Sequence, residues 1–352
     1  MSSYVDRLSG IGPFMTSSLN VERETPDWRG LDPGLPHLPV ILDPIRLRPH
    51  IEFFSLPPWC WGDIGDIQVQ LILWKNARRC TAEITVQTET GAHSLIGKAY
   101  SLDRSDIFEA MVRAGEAGFG PEAEFSVPRP LAYLPELNLL LQEKVEGPLA
   151  KSVILTGSEP DRIRAAEQCA LWLGRFHTAV PKDGPVFDLN THLNSLGEWS
   201  RSVADSGDPL AVKVVRLFQR LEHAAWTLGR IEACARHGDY TAAQVILAPG
   251  RTATCDWDGH GVADPTRDVA RFLAALERAA QESFGPMWAL DAVGEVFLKT
   301  YISVGRPEVE SNLAFYKAAR HLQSVRRKIG KPGWSEKNEA TLDQGLRVLE
   351  EG

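Results

Sequence analysis

The chain has 352 residues, of which 43% are hydrophobic and 24% are charged. These values are ordinary for a soluble globular protein and exclude a fibrous repeat, a disordered chain and a disulfide-stabilised miniprotein. The formal net charge is −8 and the basic residues are scattered, which argues against nucleic acid as a partner. The same charge is compatible with a cationic small molecule, and the length suggests about two domains of roughly 150 residues.

The five cysteines are widely spaced and form no C-x-x-C motif, which indicates reduced thiols. Residues 1–20 lack the basic region and apolar run of a signal peptide. No apolar run reaches the ~20 residues of a membrane span. We therefore predict a cytoplasmic protein that has no membrane partner.

Residues 1–66 differ from the rest of the chain because they contain nine of the 23 prolines. Proline fixes φ and lacks an N–H group, so long helices and central strands are disfavoured there. The apolar residues between Ile51 and Trp61 are too numerous for a free linker. We expect an irregular segment that packs onto the main body.

A small antiparallel sheet is predicted within residues 67–147. Alternating and β-branched residues indicate strands at 67–74, 80–87, 94–100, 130–133 and 137–145. A helix that begins at Ser105 or Asp106 and ends near Ala114 is inserted between the third and fourth strands.

Residues 148–352 are predicted to be mainly helical. Apolar spacing and capping signals indicate helices near 159–177, 209–234, 265–282, 287–301, 307–327 and 336–350. A hairpin with strands at 245–247 and 252–255 interrupts them.

Three polar clusters carry the chemistry. Lys98 ends the third strand, Asp239 precedes Gln244 by five residues before the hairpin, and Asp256 follows the second hairpin strand. This arrangement suits phosphoryl transfer, because a carboxylate can accept the proton of an attacking hydroxyl while amide and carboxylate oxygens bind Mg²⁺. Lys98, on the predicted sheet of residues 67–147, would hold the nucleotide phosphates.

The motifs His237-Gly-Asp239, Asp256-Trp-Asp258 and Asp264-Pro-x-x-Asp268, preceded by Lys98, resemble those of the aminoglycoside phosphotransferase and choline kinase family. The resemblance covers about residues 67–330. It implies an α+β, two-lobed protein-kinase-like fold with a small antiparallel β-sheet lobe and a mainly helical large lobe. It also implies an ATP-dependent, Mg²⁺-dependent transfer to a small-molecule hydroxyl on an aminoglycoside-like antibiotic, an amino alcohol or a sugar.

The resemblance implies a role for each matching residue. Asp239 corresponds to the catalytic base, Asp256 to the main Mg²⁺ ligand and Lys98 to the lysine on the α- and β-phosphates. Asp268 would brace the catalytic loop, and His237 would support its structure.

The adenine-binding hinge of the family corresponds to residues 142–147, with Glu143 and Val145 as its backbone contacts. Asp258 is a second metal neighbour, a contact for a cationic substrate or a plain surface acid. For the carboxylate partner of Lys98 we choose Glu109 over Glu116, because Glu116 adjoins glycines that suggest a helix end.

Two features depart from the family pattern. Gln244 stands where asparagine is more frequent, so the amide oxygen is retained on an arm that is one methylene longer. The turn at residues 75–79 lacks glycine, and we hypothesise that Arg78 or Arg79 contacts phosphate by its side chain instead.

Two other functions are open from the sequence. One is a catalytically weak or inactive relative that binds nucleotide, which the glycine-free turn and Gln244 favour. The other is a metal-dependent hydrolase built on His237, Asp239, Asp256 and His260, although such sites usually need more converging histidines.

Overall fold

The computed structural model describes residues 32–304, 306–326 and 335–351. The first 31 residues of the predicted N-terminal segment therefore lie outside the described residues. The division of the chain after residues 66 and 147 stays a prediction.

The described part of the N-terminal segment is helical, in contrast to the expected irregular chain. It forms α1 (Leu38–Ile41) and α2 (Pro44–Ile51). Asp43 is the N-cap of α2, because its carboxylate accepts a hydrogen bond from the N–H of Ile45 at 2.9 Å. Proline is tolerated at the first position of α2, where its missing N–H is not needed. The proline content argued against long helices, and α1 and α2 are short, with four and eight residues; the difference from the expected irregular segment is that these short helices form.

These helices pack on the small lobe as expected. Leu47, Ile51 and Phe54 are completely buried and share one hydrophobic cluster with Ile84 and Leu139 of the sheet. Burial of this apolar surface is the main force that attaches the segment to the sheet.

The small lobe contains a five-stranded sheet with the strand order β1-β2-β3-β6-β5. Its elements are β1 (Ile64–Lys75), β2 (Arg79–Thr88), β3 (Gly91–Tyr100), α3 (Ser105–Ala114), β4 (Phe125–Ser126), β5 (Pro130–Leu134) and β6 (Leu139–Glu143). The pairs within this sheet are antiparallel, as predicted, whereas β4 pairs with a strand of the large lobe. The central position of β3 places Lys98 between Thr81 of β2 and Leu140 of β6.

The large lobe is mainly helical, as predicted. Its elements are α4 (Ala150–Thr156), α5 (Glu159–Ala179), α6 (Leu189–Asp205), α7 (Ala211–Ala224), β7 (Cys234–Arg236), β8 (Val245–Ala248), β9 (Arg251–Thr254), β10 (Gly261–Ala263), α8 (Thr266–Phe284), α9 (Asp291–Ser303), α10 (Glu310–Arg326) and α11 (Ser335–Glu351). Helices α4 and α6 were not among the predicted ones.

The helix predicted over 209–234 is shorter in the structure. Helix α7 ends at Ala224, and a 3₁₀ turn continues to Thr227. The side chain of Asn312 then holds the main chain of Gly229, accepting from its N–H and donating to its carbonyl, each at 2.9 Å. A tertiary contact therefore satisfies backbone groups that a longer helix would have paired internally.

A cluster of aromatic residues supports the centre of the large lobe. Trp172 stacks on Phe176 and Tyr240, and its indole N–H donates to the carbonyl of Ser126 at 2.9 Å. The hydroxyl of Tyr240 donates to the carbonyl of Cys169 at 2.7 Å. Because Tyr240 follows Asp239 directly, this packing anchors the predicted catalytic loop on α5.

Candidate active site

Lys98 and Asp256 meet where the two lobes face each other. The Lys98 ammonium donates to Oδ1 of Asp256 at 2.9 Å and lies 3.5 Å from Oδ1 of Asp258. Burial alone would lower the pKa of Lys98, but the charges of Asp256 and Asp258 outweigh it and raise that pKa. The lysine therefore stays charged in a nearly closed environment.

Arg79 is the second cation on this pair of carboxylates. Its guanidinium donates to Oδ1 of Asp256 at 2.9 Å and also binds Asp258. Burial would raise the pKa of Asp256, but Lys98 and Arg79 reverse this effect and hold the pKa well below its usual range. Two cations thus balance two carboxylates.

The main chain of Asp256 is strained. Its φ of 67° and ψ of 62° lie in the left-handed region, which residues other than glycine seldom occupy. Such conformations persist where the surrounding structure holds them, and they cluster at functional sites. The backbone conformation of Asp256 therefore indicates a functional site at this turn, independently of the charge of its side chain.

The predicted partner of Lys98 is wrong in this structure. Glu109 is exposed and pairs with Arg113 one helical turn away. Glu116, the other option, is also exposed. Helix α3 buries Ile107 and Met111, so the position of Glu109 on its surface directs that side chain away from Lys98. Asp256 and Asp258 take its place.

The two arginines proposed to contact phosphate differ in their surroundings. Arg79 faces the site, whereas Arg78 is exposed on the β1–β2 turn. This is the difference expected for consecutive residues at the start of a strand, where side chains alternate between faces. A phosphate contact by Arg79 stays a prediction.

Asp268 connects the loop of Asp239 to α8. Its carboxylate accepts hydrogen bonds from the main-chain N–H groups of His237 and Gly238 at 2.7 and 2.9 Å. Gly238 has a φ of 82°, and an added Cβ would lie 2.0 Å from the carbonyl oxygen of Gly259. This position therefore needs glycine, both for its backbone conformation and for the close approach of the two loops.

His237 holds the same two loops together. Its ring Nε2 donates to the carbonyl of Cys255 at 3.0 Å. The loop of Asp239 and the turn of Asp256 are thus bound through His237, Gly238 and Asp268. The supporting roles predicted for His237 and Asp268 are consistent with these contacts.

Asp239 is half exposed and lies beside two arginines. Arg271 of α8 forms an ion pair with its carboxylate, and a guanidinium nitrogen of Arg320 lies 3.9 Å away. The sequence offered no sign of this pairing, because α8 and α10 are far from Asp239 along the chain. Its role as catalytic base stays a prediction.

Gln244 joins the site through its main chain. Its carbonyl accepts a hydrogen bond from the N–H of Cys255 at 2.9 Å, which places it one residue from Asp256 across the hairpin. Its side-chain oxygen accepts a hydrogen bond from the hydroxyl of Thr241. The predicted metal ligand is thus adjacent to Asp256, with its amide oxygen turned toward Thr241.

The predicted hinge is partly engaged. The N–H of Glu143 donates to the carbonyl of Arg129 at 2.9 Å, and its carboxylate binds Arg251. Within residues 32–304, 306–326 and 335–351, the main chain of Val145 has no main-chain hydrogen-bond partner. Val145 therefore fits an adenine contact, whereas the N–H of Glu143 is occupied.

The histidines proposed for a hydrolase do not converge on Asp256. His237 is turned to Cys255, and Nδ1 of His260 lies 3.1 Å from the carbonyl of Trp257. In the part of the chain that the structure describes, no three His, Cys, Asp or Glu side chains form a metal-binding group. The geometry therefore gives the hydrolase no support.

The sequence profile of the phosphotransferase enzyme family matches residues 98–300. The chain belongs to this family. The match spans Lys98, Asp239 and Asp256, so it includes both sides of the cleft. A search among curated proteins found no match.

Solved structures show the same fold as this phosphotransferase. A choline/ethanolamine kinase family protein from Mesorhizobium loti is 13% identical, with a TM-score of 0.56 over 86% of this chain and 94% of that one. Choline kinase from Cryptosporidium parvum is 12% identical, with a TM-score of 0.59 over 87% and 96%. A thermostable mutant of aminoglycoside phosphotransferase APH(4)-Ia, in complex with ADP and hygromycin B, is 13% identical, with a TM-score of 0.57 over 86% and 98%. The kinase-like fold expected from the motifs is thus confirmed.

Two contacts of this phosphotransferase escaped the sequence analysis. The hydroxyl of Tyr100 donates to Asp258 at 2.9 Å. The spacing of Lys98 and Tyr100 could have revealed it, because residues i and i+2 share one face of a strand. Asp32 holds the β1–β2 turn through Trp74 and Ala77, and no local pattern indicates a contact over that separation.

Among the described residues of this phosphotransferase, no helix is both long enough and apolar enough to cross a membrane.

Proposed function

We propose that this phosphotransferase transfers the γ-phosphoryl group of ATP to a hydroxyl of a small molecule. The acceptors suggested by the family resemblance are an aminoglycoside-like antibiotic, an amino alcohol or a sugar. The observation that supports the proposal most is the meeting of Lys98 with Asp256 and Asp258 in the cleft, next to the loop of Asp239. In this proposal Lys98 is the phosphate-binding group, Asp256 and Asp258 are the metal-binding groups, and Asp239 on the neighbouring loop is the base.

Each residue would act by its charge and position. Asp239 would orient the acceptor hydroxyl and take its proton, and Lys98 would offset charge on the nucleotide phosphates. Val145 would contact adenine through its main chain. Asp268 would keep Asp239 in place through the N–H groups of His237 and Gly238.

The donor set of the cleft fits Mg²⁺. The carboxylates of Asp256 and Asp258 are hard oxygen ligands that face the cleft. Gln244 lies next to Asp256, and its amide oxygen would have to turn from Thr241 to join them. Asp256 would be the main ligand, with Asp258 or Gln244 beside it. A bound Mg²⁺ would neutralise phosphate charge during transfer.

The thiols of the chain agree with a cytoplasmic location. Cys80, Cys169 and Cys234 are free and buried. Burial raises the pKa of Cys80 and Cys234 to about 12, so these thiols stay protonated and unreactive. ATP is supplied in the same compartment.

The proposal is tested by Asp239→Asn, which keeps the shape of the side chain and removes the base. We expect turnover in a coupled ADP-release assay to fall by about 10²- to 10⁴-fold. The ATP dissociation constant should stay within about twofold, because Asp239 acts on the acceptor. The matched control is Asp205→Asn on the exposed surface of α6. Near-normal turnover by Asp239→Asn would overturn the assignment.

A second candidate is a nucleotide-binding protein that catalyses weakly or not at all. It is favoured by one observation, the occupation of Asp256 and Asp258 by both Lys98 and Arg79. The two candidates differ in slow ATP hydrolysis by the pure protein. Hydrolysis that is lost in Asp256→Ala supports the phosphotransferase, whereas tight ATP binding without hydrolysis or transfer supports the second candidate.

A further inference from the structure

Arginine side chains gather beside Asp239 in the large lobe. Arg271 and Arg320 contact its carboxylate from α8 and α10. Arg267 lies one helical turn before Arg271 on α8, so both project from the same side of the helix. The large-lobe residues around Asp239 are therefore rich in guanidinium groups.

Arg267 and a further arginine, Arg236 of β7, pack on the same aromatic ring. The guanidinium carbon of Arg267 lies 3.1 Å from the ring centre of Phe187, and that of Arg236 lies 5.7 Å from it. Arg267 also lies 5.5 Å from the ring of Tyr316, which is one turn before Arg320 on α10. These ring contacts connect Arg236 and Arg267 to the arginines at Asp239.

Asp268 lies close enough to act on the charges of Arg236 and Arg267, and Asp264 acts on that of Arg267, but neither carboxylate is in ion-pair contact with them. None of the ion pairs formed among residues 32–304, 306–326 and 335–351 includes either of them. In the same part of the chain, their buried Nε atoms have no hydrogen-bond partner. Burial lowers the pKa of Arg267 to about 10, and the charge of Arg236 acts in the same direction, while those of Asp268 and Asp264 oppose the shift without cancelling it. A buried charge without a directly paired counter-charge is costly, which favours a ligand that supplies one.

The nearby carboxylates are already engaged. Asp264 accepts from the N–H of Thr266 at 2.8 Å and from the amide of Asn312 at 2.9 Å. Asp268 is fully engaged by the loop of Asp239, as described above. The arginines also affect His192, at the start of α6. Burial and the positive charges of Arg267 and Arg320 lower the pKa of His192 to about 4.

We propose that the acceptor of this phosphotransferase is anionic and carries a carboxylate or phosphate group that Arg236 and Arg267 bind while its hydroxyl faces Asp239. The proposal rests on the proposed function and specifies its substrate class. Guanidinium forks match carboxylate and phosphate oxygens with two parallel hydrogen bonds. A cationic acceptor would instead meet like charges at this position.

The net charge of −8 does not conflict with this inference. Net charge averages over the whole surface, whereas recognition depends on the groups that line the site. The cationic acceptor considered from the sequence rested on that average.

The test compares hydroxyl compounds that differ mainly in charge. Two sets are used with the full chain: gluconate, glucose 6-phosphate, glucose and glucosamine; and glycerate, glycerol 3-phosphate, glycerol and serinol. Binding is measured by calorimetry in the presence of MgADP, and transfer is measured by ADP release. The carboxylate and phosphate members separate the two forms of anion. We expect at least one anionic member to bind at least about tenfold more tightly than its neutral and cationic counterparts.

Substitutions then assign the binding to the arginines. Arg267→Gln and Arg236→Gln should each weaken binding of the preferred anion by about tenfold and leave the ATP dissociation constant within about twofold. Arg236→Gln is the second variant in case Arg267→Gln disturbs the packing on Phe187, because Arg236 lies farther from that ring, at 5.7 Å against 3.1 Å. The matched control, Arg164→Gln on exposed α5, should bind the anion as the wild type does.

The outcomes separate the inference from the proposed function. ADP release with neutral or cationic members, without preferential anion binding, overturns the inference and leaves the phosphotransferase proposal standing. Preferential anion binding that is lost in both variants, without ADP release, supports the anion site and counts against the proposed transfer. Absence of anion preference in both sets, or anion binding that both variants retain, overturns the inference.

Discussion

The carboxylate of Asp32 accepts a hydrogen bond from the main-chain N–H of Ala77 at 3.0 Å. It also accepts from the indole N–H of Trp74 at 2.9 Å. Gly34 is so close that an added Cβ would lie 2.3 Å from the Cα of Ala77. The N-terminal segment thus fixes the β1–β2 turn, at the place where kinase-like folds carry the phosphate loop.

Replacing Asp32 with alanine should destabilise the small lobe. The substitution removes the acceptor of the Ala77 N–H and of the Trp74 indole, two part-buried hydrogen bonds that each contribute about 0.5–1.5 kcal/mol. We expect the free energy of unfolding in urea to fall by at least about 1 kcal/mol. Asp66→Ala, at an exposed position of β1, is the control. Equal free energies of unfolding for the two variants would show that the hydrogen bonds of Asp32 do not contribute to stability.

Arg79 and Arg78 should contribute differently to ATP binding. Arg79 lies on the carboxylates of the cleft, whereas Arg78 is exposed. We expect Arg79→Gln to raise the ATP dissociation constant about tenfold, because a charge-assisted contact is lost. Arg78→Gln should change it by less than about twofold. The measurement is calorimetric titration with MgATP, and indistinguishable effects of the two substitutions would contradict a specific role of Arg79.

Substitution of Asp258 should lower the activity that depends on Lys98, whereas substitution of Glu109 should not. Asp258 lies 3.5 Å from the ammonium of Lys98 and accepts from Tyr100, while Glu109 pairs with Arg113 on the surface. We expect Asp258→Asn to lower kcat/KM by at least about tenfold, or about 1.4 kcal/mol. Glu109→Gln should remain within about twofold. The measurement is the ADP-release assay. A larger loss of kcat/KM in Glu109→Gln than in Asp258→Asn would support Glu109 as the partner of Lys98.

The buried carboxylate of Asp268 should give the protein an acid-sensitive stability. Burial would raise its pKa, but the hydrogen bond from His177 and the contacts with His237 lower it to about 2. Because the folded pKa lies below the unfolded value near 3.9, this stabilisation is present above pH 4 and is lost as the pH falls from about 4 toward 2.

The difference between wild type and Asp268→Asn measures this effect. At pH 6 the variant should be less stable by about 2 kcal/mol or more, because it loses the charge that the loop N–H groups stabilise. Urea unfolding should show this gap narrowing as the pH is lowered from 5 to 3. A gap that is constant over this range would show that the carboxylate charge is not involved.

Much of the candidate site could be predicted because it is encoded locally. Asp239, Asp256 and Asp268 follow a spaced motif, and the hairpin between Gln244 and Asp256 brings its ends together by strand pairing alone. The residue pattern also predicted that Lys98 lies on the third strand, whereas the central position of that strand came from the structure. The same local reasoning missed the short helices α1 and α2, the second of which begins with a proline, and misjudged the end of α7, which depends on Asn312.

The partners of these residues were decided by the tertiary structure. Sequence alone determined the kinase-like motifs, the β-rich and helical halves and the residue types available for phosphoryl transfer. Only packing showed that Lys98 binds Asp256 and Asp258 instead of Glu109, and that Arg271 reaches Asp239. The physical reason is that ion pairs depend on distances of a few ångströms between separate elements. Lys98 and Asp256 lie 158 residues apart, and Arg271 and Asp239 lie on a helix and on a separate loop. Periodicity and composition describe only the element that carries each residue.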